Sequence, residues 1–473
     1  MMERNRSGNR AAAMMDGRLI ACIIAAGSLN FCGVVVETSM NVTFPALMRE
    51  FEVGTATVQW VTTAYLLTLA VCIPVFAYLR RRFSTRALFI GAIALFLCGT
   101  VAGAIAPAFA VLLMGRVLQG VGASIGLPLM YDIIINRVPA PKVGLMMGVA
   151  SLITAVAPTI GPSLGGLMVS VASWRMIFIV LAPVVVAALA LGLSGMRGER
   201  ETLRGTISFD VRGFLLLAFG FSALVLGINE AALSGWLGVR TLMLFALAAA
   251  FIGAFGMHAT RATVPVLSIR PLAQRGFAFA LVPVMGVQLI ILGLGYLIPN
   301  FAQLVLGADS LQAGTIMLPG CILAASLSPL SGKLLDRVGA TVPVCTGMVA
   351  VVLAPALYAI AGSRLSVSLM VALYVLFGFG QGNTLGNCMT NALKRLPGDL
   401  AADGNAIANT AQQLASAFGT SLASTCVASA QASGTDMAFA TLSGSVTAFW
   451  MLAVVGIIAG VGFLLSLRAE QQY

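Results

Sequence analysis

Long apolar runs separated by short polar or charged gaps fill this chain from end to end. A helix needs roughly 20 apolar residues to cross about 30 Å of hydrocarbon. On that measure the pattern predicts fourteen helices, over 19–42, 57–79, 87–107, 110–133, 143–169, 175–195, 213–229, 238–258, 276–300, 313–334, 341–361, 366–390, 404–429 and 441–467. The fold class is an all-α membrane protein. A cytoplasmic tail over 1–18 precedes six helices within 19–196. The charged gap RGERETLRGTISFDVR opens a linker over 197–275 that holds two additional helices. Six more helices occupy 276–468, and 469–473 form a second tail. The two six-helix blocks echo one another, because IPVFAYLRRRFSTR closes the second helix of one and SPLSGKLLDRVGAT the second helix of the other. Two related halves about a pseudo-twofold axis are the architecture of a transporter that rocks around a central cavity.

Composition agrees with the pattern. Of 473 residues, 59% are hydrophobic and 9% charged, and the mean hydropathy is +0.99. Soluble domains carry about 25% charged residues, so a water-soluble protein is excluded. The net charge of +11 raises the question of nucleic acid, but its placement answers otherwise. With both termini on one side, 22 of the 27 Lys and Arg residues fall on that side. Only Arg49, Arg175, Arg240 and Arg364 fall on the other, and Arg116 lies within a helix. The positive-inside rule puts both termini in the cytoplasm and requires an even helix count. No nucleic-acid partner is expected. The first apolar run exceeds the 7–15 residues typical of a signal-peptide core and contains Asn30 and Glu37, so it reads as a retained helix.

Chemistry is sparse. The eight cysteines all fall inside predicted helices without metal-ligand or paired spacing, and His258 is the one histidine, so no metal site is expected. No nucleophile elbow, phosphate loop or paired-carboxylate set is present. An enzyme is not expected. A charge in hydrocarbon costs about 2.5–3.5 kcal/mol even on a lenient scale, so each one needs an account. Three qualify, namely Glu37, Arg116 and Asp132. A carboxylate shielded from water prefers its neutral form, so Glu37 is suited to hold a proton at one moment and attract a cation at another. Arg116 shares a helix stripe with Gln119, Gly120 and Ala123, where it can bias a neighbouring carboxylate. Asp132 lies near the cytoplasmic end of its helix; it is a third candidate for proton coupling beside Glu37 and Arg116, and is expected to pair with the arginines of the 80–86 gap. Trp60, Tyr65, Gln119, Tyr131, Tyr296, Asn300, Phe301, Gln303, Asn409, Gln412 and Trp450 lie within helices and form a candidate cavity lining for greasy ligands.

The segment APTIGPSLGG, with Pro158, Gly161, Pro162, Gly165 and Gly166, resembles the motif of antiporters of the major facilitator superfamily. RVLQGVGA resembles the family's fourth-helix signature, which implies proton coupling at Arg116 and Gln119. VQWVTTAYLL, NVTFP (with Asn41 and Pro45), SWRMIFIV and QLVLGADSLQAGTIMLP resemble segments of its fourteen-helix drug:proton antiporter branch. The resemblance implies a major facilitator fold, with two pseudo-symmetric six-helix bundles and two extra central helices. It also adds Asn41 to the cavity set. The family's gating-loop motif is altered in its first copy, where Ala77, Arg81 and Ser84 replace Gly, Asp and Gly, beside Arg82 and Arg86. The second copy keeps Gly332, Asp336, Arg337 and Gly339. Val36 stands where the family usually has aspartate, and Glu37 follows it. Gln412 stands where many relatives have arginine.

The resulting expectation is a proton-driven, cofactor-free exporter of small lipophilic or cationic compounds, a monomer in the cytoplasmic membrane. The alternatives are an exporter of one metabolite, lipid or siderophore, and a non-transporting receptor or scaffold.

Overall fold

The computed structural model describes residues 17–196, 209–397, 400–433 and 436–470, and within these some side chains, among them Arg81 and Asp336, lie outside the described residues. The termini and most of the charged linker gap also lie outside them. The described chain is helical throughout. Its helices are α1 Gly17–Phe51, α2 Trp60–Cys72, α3 Phe76–Arg82, α4 Thr85–Ala104, α5 Phe109–Arg137, α6 Ala140–Val171, α7 Met176–Gly195, α8 Val211–Ser234 and α9 Val239–Arg261. They continue with α10 Arg275–Leu304, α11 Ser310–Thr315, α12 Leu318–Val338, α13 Thr341–Ala361, α14 Val367–Leu393, α15 Ala401–Ser433 and α16 Met437–Glu470.

Among the described residues, twelve helical segments are long and apolar enough to cross a membrane, against the fourteen expected. The remaining two long helices are α6 and α15. Many side chains in the first half of α6 lie outside the described residues, and α15 carries Asn405, Asn409, Gln412, Gln413, Ser416 and further hydroxyls that lower its hydropathy.

Three boundaries depart from the sequence pattern, each for a local reason. The first helix runs nine residues past the predicted end at 42, because its polar residues are satisfied in place. Thr43 Oγ1 donates back to Met40 O at 2.8 Å, and Asn41 Oδ1 accepts from Thr62 Oγ1 at 2.8 Å. The helix stops where Glu52 turns left-handed at φ 52°, and Val53 N closes on Met48 O at 3.2 Å. The second predicted helix is broken at Ile73–Val75, a single 3₁₀ turn around Pro74, which lacks the amide an α-helix needs. The tenth is split into α11 and α12, with Pro319 in the first turn of α12.

Contacts sort the helices into two groups. α1 packs on α5, α6 and α7, and α4 on α5 and α7, while α10 packs on α14, α15 and α16, and α13 on α14 and α16. Between the groups, α2 lies along α15, α6 along α11 and α12, and α1 along α10. The two linker helices pack on each other, and α8 also packs against α15 and α2. α9 exposes Val239, Leu242, Met243, Leu247 and Met257, as a helix facing lipid should. One carboxylate fastens this pair. Asp210 caps α8 through Gly213 N at 2.9 Å, holds His258 Nε2 at 2.7 Å and accepts from Val266 N at 3.1 Å.

Candidate functional site

Close backbone approach creates the site. A Cβ added at Gly99 would sit 2.4 Å from Gly115 O, so the glycines let α4 and α5 meet. That contact brings Thr100 against Gln119, whose Nε2 donates to Thr100 Oγ1 at 3.0 Å. Gln119 Oε1 in turn accepts from Arg116 NH1 at 2.7 Å, and Arg116 Nε donates to Val61 O on α2 at 2.9 Å. The guanidinium is fully buried and lies 4.2 Å from the centre of the Tyr65 ring. Such stacking strengthens as water is excluded. The other terminal nitrogen, NH2, is buried with no hydrogen-bond partner.

Facing this cation is Glu37 on α1, 6% exposed. No described residue hydrogen-bonds its carboxylate; Arg116 and Tyr65 act on it through their electrostatic fields. The Tyr65 hydroxyl reaches α1 one turn away, where a Cβ at Gly33 would lie 2.7 Å from it. The structure thus brings Glu37, Arg116, Gln119 and Tyr65 into one buried constellation. Its chemistry is that of a lone carboxylate able to exchange a proton or a cation beside a fixed positive charge.

A second group of residues forms the seam between the two helix groups. Asn300 Nδ2 donates to Tyr296 O at 2.7 Å and to Asn41 O at 3.4 Å, and Gln303 Nε2 donates to Val42 O at 2.9 Å. Tyr296 and Phe301 are buried alongside, with the Tyr296 ring 5.8 Å from that of Phe44. Toward α15, Thr55 in the short turn of helix Thr55–Val58 donates to Gln431 at 2.6 Å, Gln59 before α2 accepts from Ser424 at 2.5 Å, and Thr63 of α2 shares a bond with Ser421 at 3.3 Å. The glycine–proline segment of α6 packs beside this seam. Gly161 O accepts from Ser39 Oγ at 2.6 Å. A Cβ at Gly165 would lie 2.5 Å from Ser39 O, and one at Gly166 would lie 2.2 Å from Ser310 O. Gly161 and Gly165 therefore face α1, and Pro162 and Gly166 face α11, one pair for each helix group. Pro158 is half-buried in the same helix.

Other predicted residues stand apart. Asp132 pairs with Arg80 Nε at 2.7 Å and accepts from Asn136 Nδ2 at 2.9 Å, at the far end of α5 from Arg116, with half-buried Tyr131 beside it. Trp60 and Gln412 are half-buried, and Asn409 bonds along its own helix to Asn405 O at 2.9 Å. Arg82, Arg86 and Arg337 are exposed, nothing lies within 4 Å of a Cβ at Gly332, and Gly339 ends α12 at φ 81°. Ser84 caps α4 by accepting from Ala87 N at 3.3 Å. The sequence reading missed Asn30, Gln59 and Thr100. Asn30 had a legible signal, since it stands seven residues before Glu37 on the same helix face.

The fold is that of a membrane transporter. The chain belongs to the Major Facilitator Superfamily, whose family pattern matches residues 26–420. It is a multi-pass membrane transporter and not an enzyme. It is 31% identical to YcnB of Bacillus subtilis, an uncharacterized MFS-type transporter, over 96% of this chain and 95% of that protein. It is also 31% identical to the lincomycin resistance protein LmrB of Listeria monocytogenes over 85% of each chain. The fold matches a bacterial homologue of the human lysosomal transporter Spinster, solved inward-facing and unoccupied, with a TM-score of 0.69 at 15% identity over 97% of this chain and 99% of that one.

Proposed function

We propose that this protein is a proton-coupled antiporter that exports small lipophilic or cationic compounds by alternating access. The observation that carries this reading is Glu37, buried and without a hydrogen-bond partner, facing the Arg116 cation. Protonation from outside neutralises Glu37 and releases a cationic ligand; deprotonation inside restores the site. One carboxylate serves both, so proton and ligand acquire opposite preferences for the two states, which an exchange mechanism requires. Arg116 tunes that carboxylate, and the α6 glycines close the outer end. The drug-resistance names of relatives such as LmrB support the substrate class. In this reading α6 and α15 also cross the bilayer, giving fourteen crossings, two six-helix bundles joined by the 197–275 linker, and both termini in the cytoplasm. The protein works as a monomer in a bacterial cytoplasmic membrane, without cofactor or nucleic acid.

The test is efflux of ethidium from proteoliposomes under an imposed pH gradient. Export that follows the gradient and reverses with it is the expected result. Absence of ethidium flux with gradient-driven movement of lincomycin favours a specialist exporter, the second reading that LmrB's name supports. Flux indifferent to the gradient contradicts proton coupling.

A further inference from the structure

Three buried polar side chains on one strip of the first helix group make no hydrogen bond to a described residue, and one of them, Asn30, has its amide nitrogen fully enclosed. Asn30 is 7% exposed, and its Nδ2 is enclosed with no acceptor. Glu37 is 6% exposed, and Tyr65 is 1% exposed; neither its hydroxyl nor the carboxylate is hydrogen-bonded by a described residue. Seven residues of helix return a side chain to within about 20° of the same direction and advance it about 10 Å. Asn30 and Glu37 therefore lie on one line along α1, with Gly33 between them. At Gly33 there is no side chain to fill the strip, and the Tyr65 hydroxyl stands there instead. Opposite, α5 offers small residues at matching heights. Ala123 Cβ would be 3.2 Å from a Cβ at Gly33, and a Cβ at Gly126 would be 3.4 Å from Asn30 N.

An unpaired buried polar group costs about 1–3 kcal/mol, and folded proteins pair nearly all of theirs. An enclosed amide nitrogen without an acceptor, in line with a hydroxyl and a carboxylate that make no hydrogen bond, along small neighbours, is the pattern of a site whose partners arrive with a ligand. The order of chemistry along it is donor, hydroxyl, carboxylate.

We propose that Asn30 is a substrate-binding residue that donates a hydrogen bond to a carbonyl or ether oxygen of the exported compound, whose cationic end lies at Glu37. This rests on the exporter reading above and narrows its substrate class to cations that carry a hydrogen-bond acceptor several ångströms from the charge. Asn30 sets selectivity among ligands and takes no part in proton exchange.

The experiment uses two probes on the full-length protein in detergent. Tetramethylrhodamine ethyl ester carries a cation and an ester carbonyl, whereas tetraphenylphosphonium carries a cation and no acceptor. Equilibrium dialysis gives Kd for each, with wild type, Asn30→Leu and Asn30→Ser. Leu is apolar and similar in size, so it removes the unpaired amide without opening a cavity. The expected result is a loss of at least tenfold in affinity for the ester with Asn30→Leu, little change for tetraphenylphosphonium, and partial retention with Asn30→Ser. The melting temperature of Asn30→Leu stays level or rises, which a merely structural asparagine would not allow. Equal loss for both probes, or no loss for either, overturns the proposal, as does failure of wild type to bind the ester. If the ester binds with the expected selectivity but is not exported from proteoliposomes, the exporter reading fails while the role of Asn30 stands.

Discussion

At the residue scale the account rests on how few charges enter the membrane and where each finds a partner. Arg116 makes two directed hydrogen bonds and one ring contact, and only a planar fork can make all three. Arg116→Lys keeps the charge but loses that geometry. A hydrogen bond to a charged group is worth about 1.5–3 kcal/mol, so proteoliposome transport should fall about tenfold or more. Unchanged transport in the lysine variant would reduce Arg116 to a mere positive charge. Much of this site was legible in the sequence, because a carboxylate and a guanidinium inside apolar runs demand explanation whatever the fold. Gln119 beside Arg116 was legible from their shared helix stripe, but the amide pairings between helices were not. Asn41 and Asn300 meet across the two halves, and Asn30 stands unpaired, only because of which helices lie side by side.

At the element scale, glycines decide which helices touch. Gly165→Ala drives a methyl group toward the backbone of Ser39, a clash that should cost about 1–3 kcal/mol of stability. Gly332→Ala, in open space, should leave the melting temperature level or slightly higher, as befits alanine in a helix. A thermal-unfolding comparison of the two variants checks both expectations. The linker helices have their own fastening in Asp210. Burial pushes its carboxyl up, but the bonds from Gly213 N, His258 and Val266 N outweigh this and hold it below its usual range. A carboxyl lowered in the folded state stabilises above its unfolded value of about 3.9, and that contribution is lost as pH falls through the folded value. Lowering the pH below about 4 should therefore loosen α8 and α9 in wild type, and Asp210→Ala should lose much of this pH dependence. Hydrogen exchange across residues 209–266 reads the difference. Helix positions were legible from hydropathy. The 3₁₀ turn at Pro74 and the long, polar-satisfied end of α1 were not, because they depend on partners distant in sequence.

At the scale of the whole molecule, two helix groups are held together at one end by a polar seam. Bonds of the Gln59–Ser424 kind join the groups beside apolar contacts such as that of Phe44 with Tyr296, and water can replace a bond of this kind. Gln59→Ala should speed hydrogen exchange in 55–63 and 421–431 together; faster exchange in only one segment would mean that they do not open as a unit. The grouping of helices seen in the contacts follows the order in which the internal echo divides the chain. The seam was not legible in the sequence, because it depends on which helices of the two groups lie side by side.

The central claim is that Glu37 exchanges protons for cargo. Its most direct test compares wild type with Glu37→Gln in proteoliposomes, measuring ethidium export driven by a pH gradient alongside ethidium binding. The account predicts that wild type exports and that the glutamine variant binds the dye yet shows no gradient-driven flux. Equal export by both proteins would contradict it and move the coupling role to another group, with Asp132 the next carboxylate to test.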